Sequence, residues 1–178
     1  MKKIFVLSAM AALVLSGCSK GEDEFSTPSN QMQFVAEYPT TRATTTNFED
    51  GDVMGVYVTQ YNGNIAQPLQ ISGNYANNVK STFYGSKWVN SPAIYWADGK
   101  FDVFAYYPYT KPTSVDELTF SVALDQSTEE TAETLSGYEA SDFLWAKATG
   151  VSQMDAVPLT FKHCLSKIVV NLIKGEEY

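Results

Sequence analysis

The sequence predicts an all-β fold, an antiparallel sandwich of two sheets. Apolar residues recur at every second position in several short segments, which is the period of a half-buried strand. Gly, Asn and Asp residues separate these segments, as turns do between strands. The one stretch of helix formers, residues 126–135, has no apolar stripe, so we expect a loop or one short surface helix there.

The chain begins with the pattern of an export signal. Met1-Lys2-Lys3 is basic, and a mostly apolar run over residues 4–15 follows it. At about 1.5 Å per residue this run makes roughly 18 Å of helix, too short for a hydrocarbon core of about 30 Å. The pattern therefore predicts a cleaved secretory signal over residues 1–17 and not a membrane span.

The signal ends in Leu15-Ser16-Gly17-Cys18, which resembles the lipobox of bacterial lipoproteins. That resemblance implies cleavage before Cys18 and acylation of this cysteine, with palmitate among the expected acyl groups. The alternative is an ordinary secretion signal with an incidental cysteine. If Cys18 carries lipid, Cys164 has no partner for a disulfide, and we expect it to be a small buried apolar residue.

The composition of the rest of the chain predicts its segments and restricts the classes of partner that it can bind. Residues 18–30 are polar and predict a flexible tether, followed by a sandwich domain over residues 31–158. Residues 159–178 are expected to close that sandwich or to begin a truncated second domain. A formal charge of −8 gives no electrostatic footprint for nucleic acid, and it implies that any membrane attachment is covalent.

The first half of the chain carries most of the strand candidates. Met32, Phe34, Ala36 and Tyr38 alternate with more polar residues and predict the core face of a first strand. Further candidates lie at residues 53–59, 79–83, 93–96 and 101–107, with a turn at residues 84–86 before Trp88. Asp98-Gly99 predicts a hairpin after residues 93–96.

The later strand candidates contain a change of phase. They lie at residues 118–122, 143–145 and 157–161. Leu159 and Phe161 put odd positions on the apolar face, whereas Ile168, Val170 and Leu172 put even positions there. Because a shift of one residue turns a strand over, a break or bulge is expected around residues 163–166.

Few residues suit catalysis or metal binding. His163 is the only histidine, which excludes sites that need two imidazoles, and we expect it to be structural. Asp50, Asp52, Asp98 and Asp125 lie at predicted turns, where Asp usually accepts hydrogen bonds from the backbone. The sequence thus predicts no enzyme, no cofactor and no metal site, although it leaves a glycosidase-type pair of carboxylates open.

Aromatic residues offer a candidate ligand site. Trp88, Trp96 and Trp145, with the pair Tyr106-Tyr107, could form a platform on which sugars stack. The alternative is that they pack in the core of the sandwich, which uses the same residue types.

Arg42 is the only arginine of the chain, among twelve basic residues. It lies in the threonine-rich segment 40–46, which has no strand pattern and is expected to be exposed. An arginine-specific protease would therefore meet a single site, between Arg42 and Ala43. The alternative is a solvated surface arginine.

Six motifs follow one another between about Phe34 and Leu172. They are Thr41-Arg42-Ala43 and residues 48–57, 94–99, 104–108, 141–144 and 161–168. In this order they resemble the Mfa-like branch of the Bacteroidales fimbrillin family. The resemblance implies a surface-exposed lipoprotein of the outer membrane, with two transthyretin-like sandwich domains and no catalytic activity.

The same resemblance implies a mechanism of assembly. Cleavage after Arg42 would remove the first strand, and a strand from another fimbrial subunit would take its place to build a fimbrium, or pilus. The acidic run over residues 19–24 resembles a signal for surface export. The alternative is a solvated tether that carries no targeting signal. The chain is shorter than family members, so we expect a fragment or a short form without the strand donor. The rival prediction is a surface lipoprotein that binds host or bacterial glycans or proteins.

Overall fold

The computed structural model describes residues 30–39, 47–131 and 134–166. Within these residues the secondary structure is almost entirely β. The strands are β1 (Phe34–Glu37), β2 (Val53–Gln60), β3 (Ala76–Tyr84), β4 (Lys87–Ser91), β5 (Phe101–Tyr107), β6 (Leu144–Val151), β7 (Val157–Thr160) and β8 (Lys162–His163), and one 3₁₀ turn spans Glu139–Ser141. The predicted all-β fold is confirmed.

The strands form a large and a small sheet. The large sheet has six strands in the order β4-β3-β2-β5-β6-β8, and every neighbouring pair in it is antiparallel. The small sheet pairs β1 with β7, and this pair is parallel, with Phe34 opposite Val157. The predicted two-sheet sandwich is therefore present, but the antiparallel pairing holds for the large sheet only. No short turn joins β1 to β7, so their direction is not restricted to antiparallel.

The hydrophobic core lies between the two sheets. Phe34 of β1 and Leu159 of β7 pack in one cluster with Val56, Val58 and Val103 of the large sheet. The predicted face of the first strand is confirmed, since Met32 and Phe34 are buried and Ala36 and Tyr38 pack partly buried against the same cluster.

The central strands β2 and β5 are buried on both faces. Tyr57, Phe104 and Tyr106 form a second cluster on the outer face of the large sheet. Loop residues, among them Leu69 and Val115, pack over this cluster. This cover explains why both strands are apolar at almost every position, where a half-exposed strand would alternate.

The outer cluster depends on a glycine. Gly55 faces Tyr106 across the β2–β5 pair, and a Cβ at Gly55 would lie 2.6 Å from Tyr106 Oη and closer still to the ring. The Tyr106 hydroxyl shares its one proton between two acceptors, Asn78 Oδ1 at 2.6 Å and Thr110 O at 2.8 Å. Glycine at position 55 therefore gives the ring the room that these hydrogen bonds require.

Two strand predictions and one hairpin prediction are wrong. Residues 93–96 form no strand; Tyr95 makes only an isolated bridge with Gln31. The turn at Asp98-Gly99 therefore leads into β5 without a hairpin, because β5 pairs with β2 and β6 instead. Residues 118–122 are also irregular, since Phe120 packs on Phe143 over the outer face, with ring centroids 4.9 Å apart.

The chain changes sheet after β7. The chain leaves the small sheet at the end of β7 and enters the large sheet at β8, which pairs with β6. Phe161, between the two strands, is buried. Strand β8 ends at His163, and residues 164–166 belong to no strand, within the range expected for a break. Ile168, Val170 and Leu172 lie outside the described residues, as do the predicted signal and almost all of the predicted tether.

Candidate functional site

The segment that contains β1 is held by backbone hydrogen bonds along both of its edges. On one side Met32 N donates to Ile94 O, and Trp96 N donates to Asn30 O, each at 2.8 Å. On the other side β7 and the residue after it donate to β1: Val157 N to Gln33 O at 2.8 Å, and Phe161 N to Glu37 O at 3.0 Å. We call the space that residues 30–38 fill between these two edges the first-strand groove.

Apolar side chains anchor the segment in this groove. Met32 and Phe34 are 0% and 4% exposed. Asn90 Nδ2 of β4 also donates to Met32 O at 2.9 Å. The segment is thus part of the core and, at the same time, a separate strand with no hairpin partner next to it in the chain.

An aromatic cluster centred on Phe48 lies at the far end of the groove. The Phe48 ring meets four other rings edge-on, at centroid distances of 5.0–5.6 Å: Tyr38, Trp88, Tyr107 and Phe161. Such pairs contribute about 0.5–1.5 kcal/mol each beyond the area they bury. Sequence reasoning did not single out Phe48, because an isolated apolar residue after an unpatterned segment gives no periodic signal.

Asp142 joins the end of the first segment to the last described strand. Tyr38 Oη donates to Asp142 Oδ2 at 2.9 Å, and His163 Nδ1 lies 2.7 Å from Asp142 Oδ1. Burial, followed by the Asp142 carboxylate, raises the pKa of Tyr38 above its usual range, so the phenol stays protonated and continues to donate. The His163 ring also lies edge-on to Tyr38, with ring centroids 6.0 Å apart, and these contacts favour the structural role predicted for His163.

Several carboxylates line a small cleft beside this cluster. They belong to Glu49, Asp52, Glu130, Glu139 and Asp142. Asp52 accepts hydrogen bonds from Tyr107 Oη and from Glu49 N, both at 2.8 Å. Burial is the main cause of the raised pKa of Asp52. Within residues 30–39, 47–131 and 134–166, no group of His, Cys, Asp and Glu side chains is placed to hold a metal ion.

The turn carboxylates mostly bond to the backbone, as their positions suggested. Asp50 Oδ1 accepts from Gly85 N at 2.6 Å, and Asp125 Oδ1 accepts from Ser127 N at 2.9 Å. Asp98 differs, because it is its carbonyl that accepts, from Gln60 Nε2 at 2.9 Å.

The three tryptophans do not form one exposed platform. Trp88 and Trp96 are buried in the core between the sheets, at 2% and 7% exposure. Trp145 packs on the opposite face of the large sheet, against Phe104 with ring centroids 5.9 Å apart. For Trp88 and Trp96 the structure supports the alternative, packing in the core, whereas Trp145 is half-buried on the outer face.

Other predicted site residues are not placed. Cys18, Arg42 and Ala43 lie outside the described residues, so lipidation and processing stay predictions. Cys164 was expected to be buried, and that expectation is wrong: its side chain is exposed, just after the short edge strand β8. In the described part of the chain, no helix has the length and apolar character needed to cross a membrane.

The structure defines a β-sandwich protein whose first strand is held separately in a groove of the core. The family model described as fimbrillin-like matches residues 41–178, and the chain belongs to this family. The match begins after β1. The resemblance seen in the six sequence motifs is thereby confirmed.

Two solved structures, both described as those of candidate cell adhesion proteins, are similar to this chain. The protein from Bacteroides ovatus ATCC 8483 has a TM-score of 0.51 and 20% identity, over 75% of this chain and 51% of its own. The protein from Bacteroides uniformis ATCC 8492 has a TM-score of 0.42 and 22% identity, over 75% of this chain and 47% of its own. This chain spans about half the length of these proteins. No curated protein matches the sequence.

Proposed function

We propose that this chain is a surface-exposed, lipid-anchored fimbrial subunit or adhesin that assembles with other fimbrial subunits by donor-strand exchange. The observation that carries the proposal is the first-strand groove. It holds a short strand that contributes to the core and has partners on both edges. The role requires no catalysis, and we assign none.

The energetics of the groove favour exchange. Complete burial of Met32 and Phe34 contributes roughly 1.5–3 kcal/mol each, or about 3–6 kcal/mol together. A whole domain is stable by only about 5–15 kcal/mol. Loss of β1 would also leave Ile94 O, Val157 N and Phe161 N without their backbone partners. A strand with the same alternation of side chains would restore both the apolar burial and the backbone hydrogen bonds by β-augmentation.

The position of Arg42 suits the release of β1. The strand ends at Glu37, and the only arginine follows five positions later. A cut after Arg42 would therefore separate the whole of β1, together with everything before it, from the rest of the sandwich. Four residues, 38–41, separate the end of the strand from this arginine.

Limited proteolysis tests this mechanism. An arginine-specific protease is expected to cut the folded protein once, after Arg42, and the product should form oligomers when a subunit with an intact donor strand is added. Arg42→Ala should block both steps. Arg42→Lys is the matched control, because it keeps the positive charge and should also block them. Resistance of the native protein to this protease, or a cleaved product that stays monomeric with the donor, would refute donor-strand exchange.

The anchor has its own test. Two acyl chains suffice for stable attachment to a membrane, since each buried methylene contributes about 0.8 kcal/mol. Cys18→Ser is expected to release the protein from the outer-membrane fraction or to stop its processing, whereas Cys164→Ser should change neither. A Cys18→Ser protein that stays with the membrane after a wash at high pH would contradict lipidation at this residue.

A further inference from the structure

Two neighbouring clefts of the domain have no charged residue in their lining. Residues 53–79 contain no Asp, Glu, Lys or Arg, although the whole chain carries a formal charge of −8. The two clefts have volumes of about 390 and 450 Å³. Both volumes fall in the range of about 300–1,000 Å³ that is usual for small-ligand sites. We call the two clefts together the neutral surface.

Carboxamide side chains line the first cleft. It lies between the end of β2 and the loop over residues 67–75, and its carboxamides belong to Gln60, Gln67, Gln70 and Asn74. Asn74 holds the loop in shape, because its Nδ2 donates to Gln70 O at 2.6 Å and to Asn77 Oδ1 at 2.8 Å. Gln60 donates to Asp98 O and Gln67 to Ile65 O, so each keeps an amide oxygen that can accept from a ligand.

A buried hydroxyl lies at the floor of the same cleft. Thr59, the neighbour of Gln60, is 2% exposed, and its Oγ1 has no hydrogen-bond partner among the described residues. A buried polar atom without a partner is unfavourable and rare in folded proteins. Because Oγ1 has almost no accessible surface, a ligand in the cleft would not contact it directly.

A rigid tyrosine separates the two clefts. Tyr75 lines both and is 39% exposed. Its hydroxyl donates to Tyr95 O at 2.8 Å, and its ring packs edge-on against Phe101, with centroids 5.0 Å apart. Tyr95, 46% exposed, lines the second cleft. Two exposed aromatic rings therefore border the carboxamide groups, and Tyr75 is fixed in place before any ligand arrives.

We propose that the neutral surface binds an uncharged oligosaccharide. Sugar hydroxyls both donate and accept hydrogen bonds, as carboxamides do, and the C–H faces of a sugar ring pack on aromatic rings. The lack of charged groups disfavours anionic ligands, which basic side chains normally bind. The inference rests on the adhesin role proposed above and supplies the chemical class of its ligand, at a site that adjoins the first-strand groove, since Ile94 of the groove edge also lines the second cleft.

Titration of the intact, uncleaved protein tests the inference. The probes are neutral gluco-, manno- and galacto-oligosaccharides, with sialylated and sulfated oligosaccharides as the acidic comparison, and binding is measured by calorimetry. At least one neutral probe is expected to bind. Tyr75→Ala should weaken that binding about tenfold, the upper end of the contribution of a well-packed ring. The double variant Gln67→Ala/Gln70→Ala should weaken it severalfold and leaves the tyrosine contacts intact.

Matched controls lie elsewhere on the surface. Tyr84→Ala removes a tyrosine that is 57% exposed, and Gln153→Ala removes an exposed glutamine; neither should change binding. Circular dichroism and thermal unfolding verify that each variant is folded. No binding of any neutral probe at millimolar concentration would overturn the inference, as would preference for acidic probes or equal loss in the controls. If a second protein binds this surface in the absence of glycan, the neutral surface is a protein interface and the inference is wrong. Because the uncleaved protein is used, none of these outcomes bears on strand exchange.

Discussion

Gly55→Ala tests how closely the outer face of the large sheet is packed. In an ordinary strand this change stabilises by roughly 0.5–1 kcal/mol, since glycine loses more backbone entropy on folding. Here the new methyl group would overlap Tyr106, with Oη 2.6 Å away and ring atoms closer. The ring must move, and the hydrogen bonds of its hydroxyl to Thr110 O and Asn78 Oδ1 must lengthen or break.

The expected loss of stability follows from these contacts. Overpacking costs about 1–3 kcal/mol, and each lost hydrogen bond adds about 1 kcal/mol. We expect Gly55→Ala to lower the free energy of unfolding by about 2–4 kcal/mol, measured by urea denaturation. For a domain of this size the melting temperature should fall by about 5–15 °C.

A double-mutant cycle separates the clash from other effects. In the background of Tyr106→Ala, Gly55→Ala should lose most of its effect, because the overlapping ring is gone. A neutral or stabilising Gly55→Ala in the wild-type background would refute the packing argument. Equal effects in both backgrounds would show that the cause is not Tyr106.

The remaining predictions concern the core and pH. Phe34→Ala should lower the free energy of unfolding of the uncleaved protein by about 3–5 kcal/mol, because it removes a buried ring. Val35→Ala, at a side chain 55% exposed, should change the same free energy by less than about 0.5 kcal/mol. Similar values for the two variants would contradict the assigned face of β1. Burial raises the pKa of Asp52 from 3.8, so the folded state binds this proton more tightly. Its stabilising contribution is full below about pH 4 and is lost as pH rises through the folded-state pKa. Asp52→Asn should therefore gain stability relative to wild type as pH rises over this window, and a difference that is constant from pH 3 to 7 would refute the assignment.

Local patterns were sufficient to predict several strands. The alternation from Met32 to Tyr38 and the apolar runs of β2 and β5 identify their elements, because side-chain period and residue type are properties of a short segment. The parallel pairing of β1 with β7 was not predictable in this way, since it joins segments that share no turn.

Other features depend on contacts between distant parts of the chain. Trp88 and Trp96 have the same local character whether they form a core or a ligand platform, so only the fold distinguishes the two. Phe120 alternates with polar neighbours as in a strand, yet it packs on Phe143 from an irregular segment. The carboxamide cleft was missed because loop residues have no period; the absence of charge over residues 53–79 was its one visible signal.

The pairing of β1 with β7 also determines the order in which the sandwich can form. Glu37 and Thr160, which are partners in this pair, lie 123 positions apart. Neighbouring strands such as β3 and β4 can meet early, whereas contacts of long sequence separation form slowly. Strand β1 is synthesised first, but it is thus expected to dock among the last strands, after nearly the whole domain has been synthesised. Until then the groove is open, and any competing strand present at that moment meets it without having to displace an occupant.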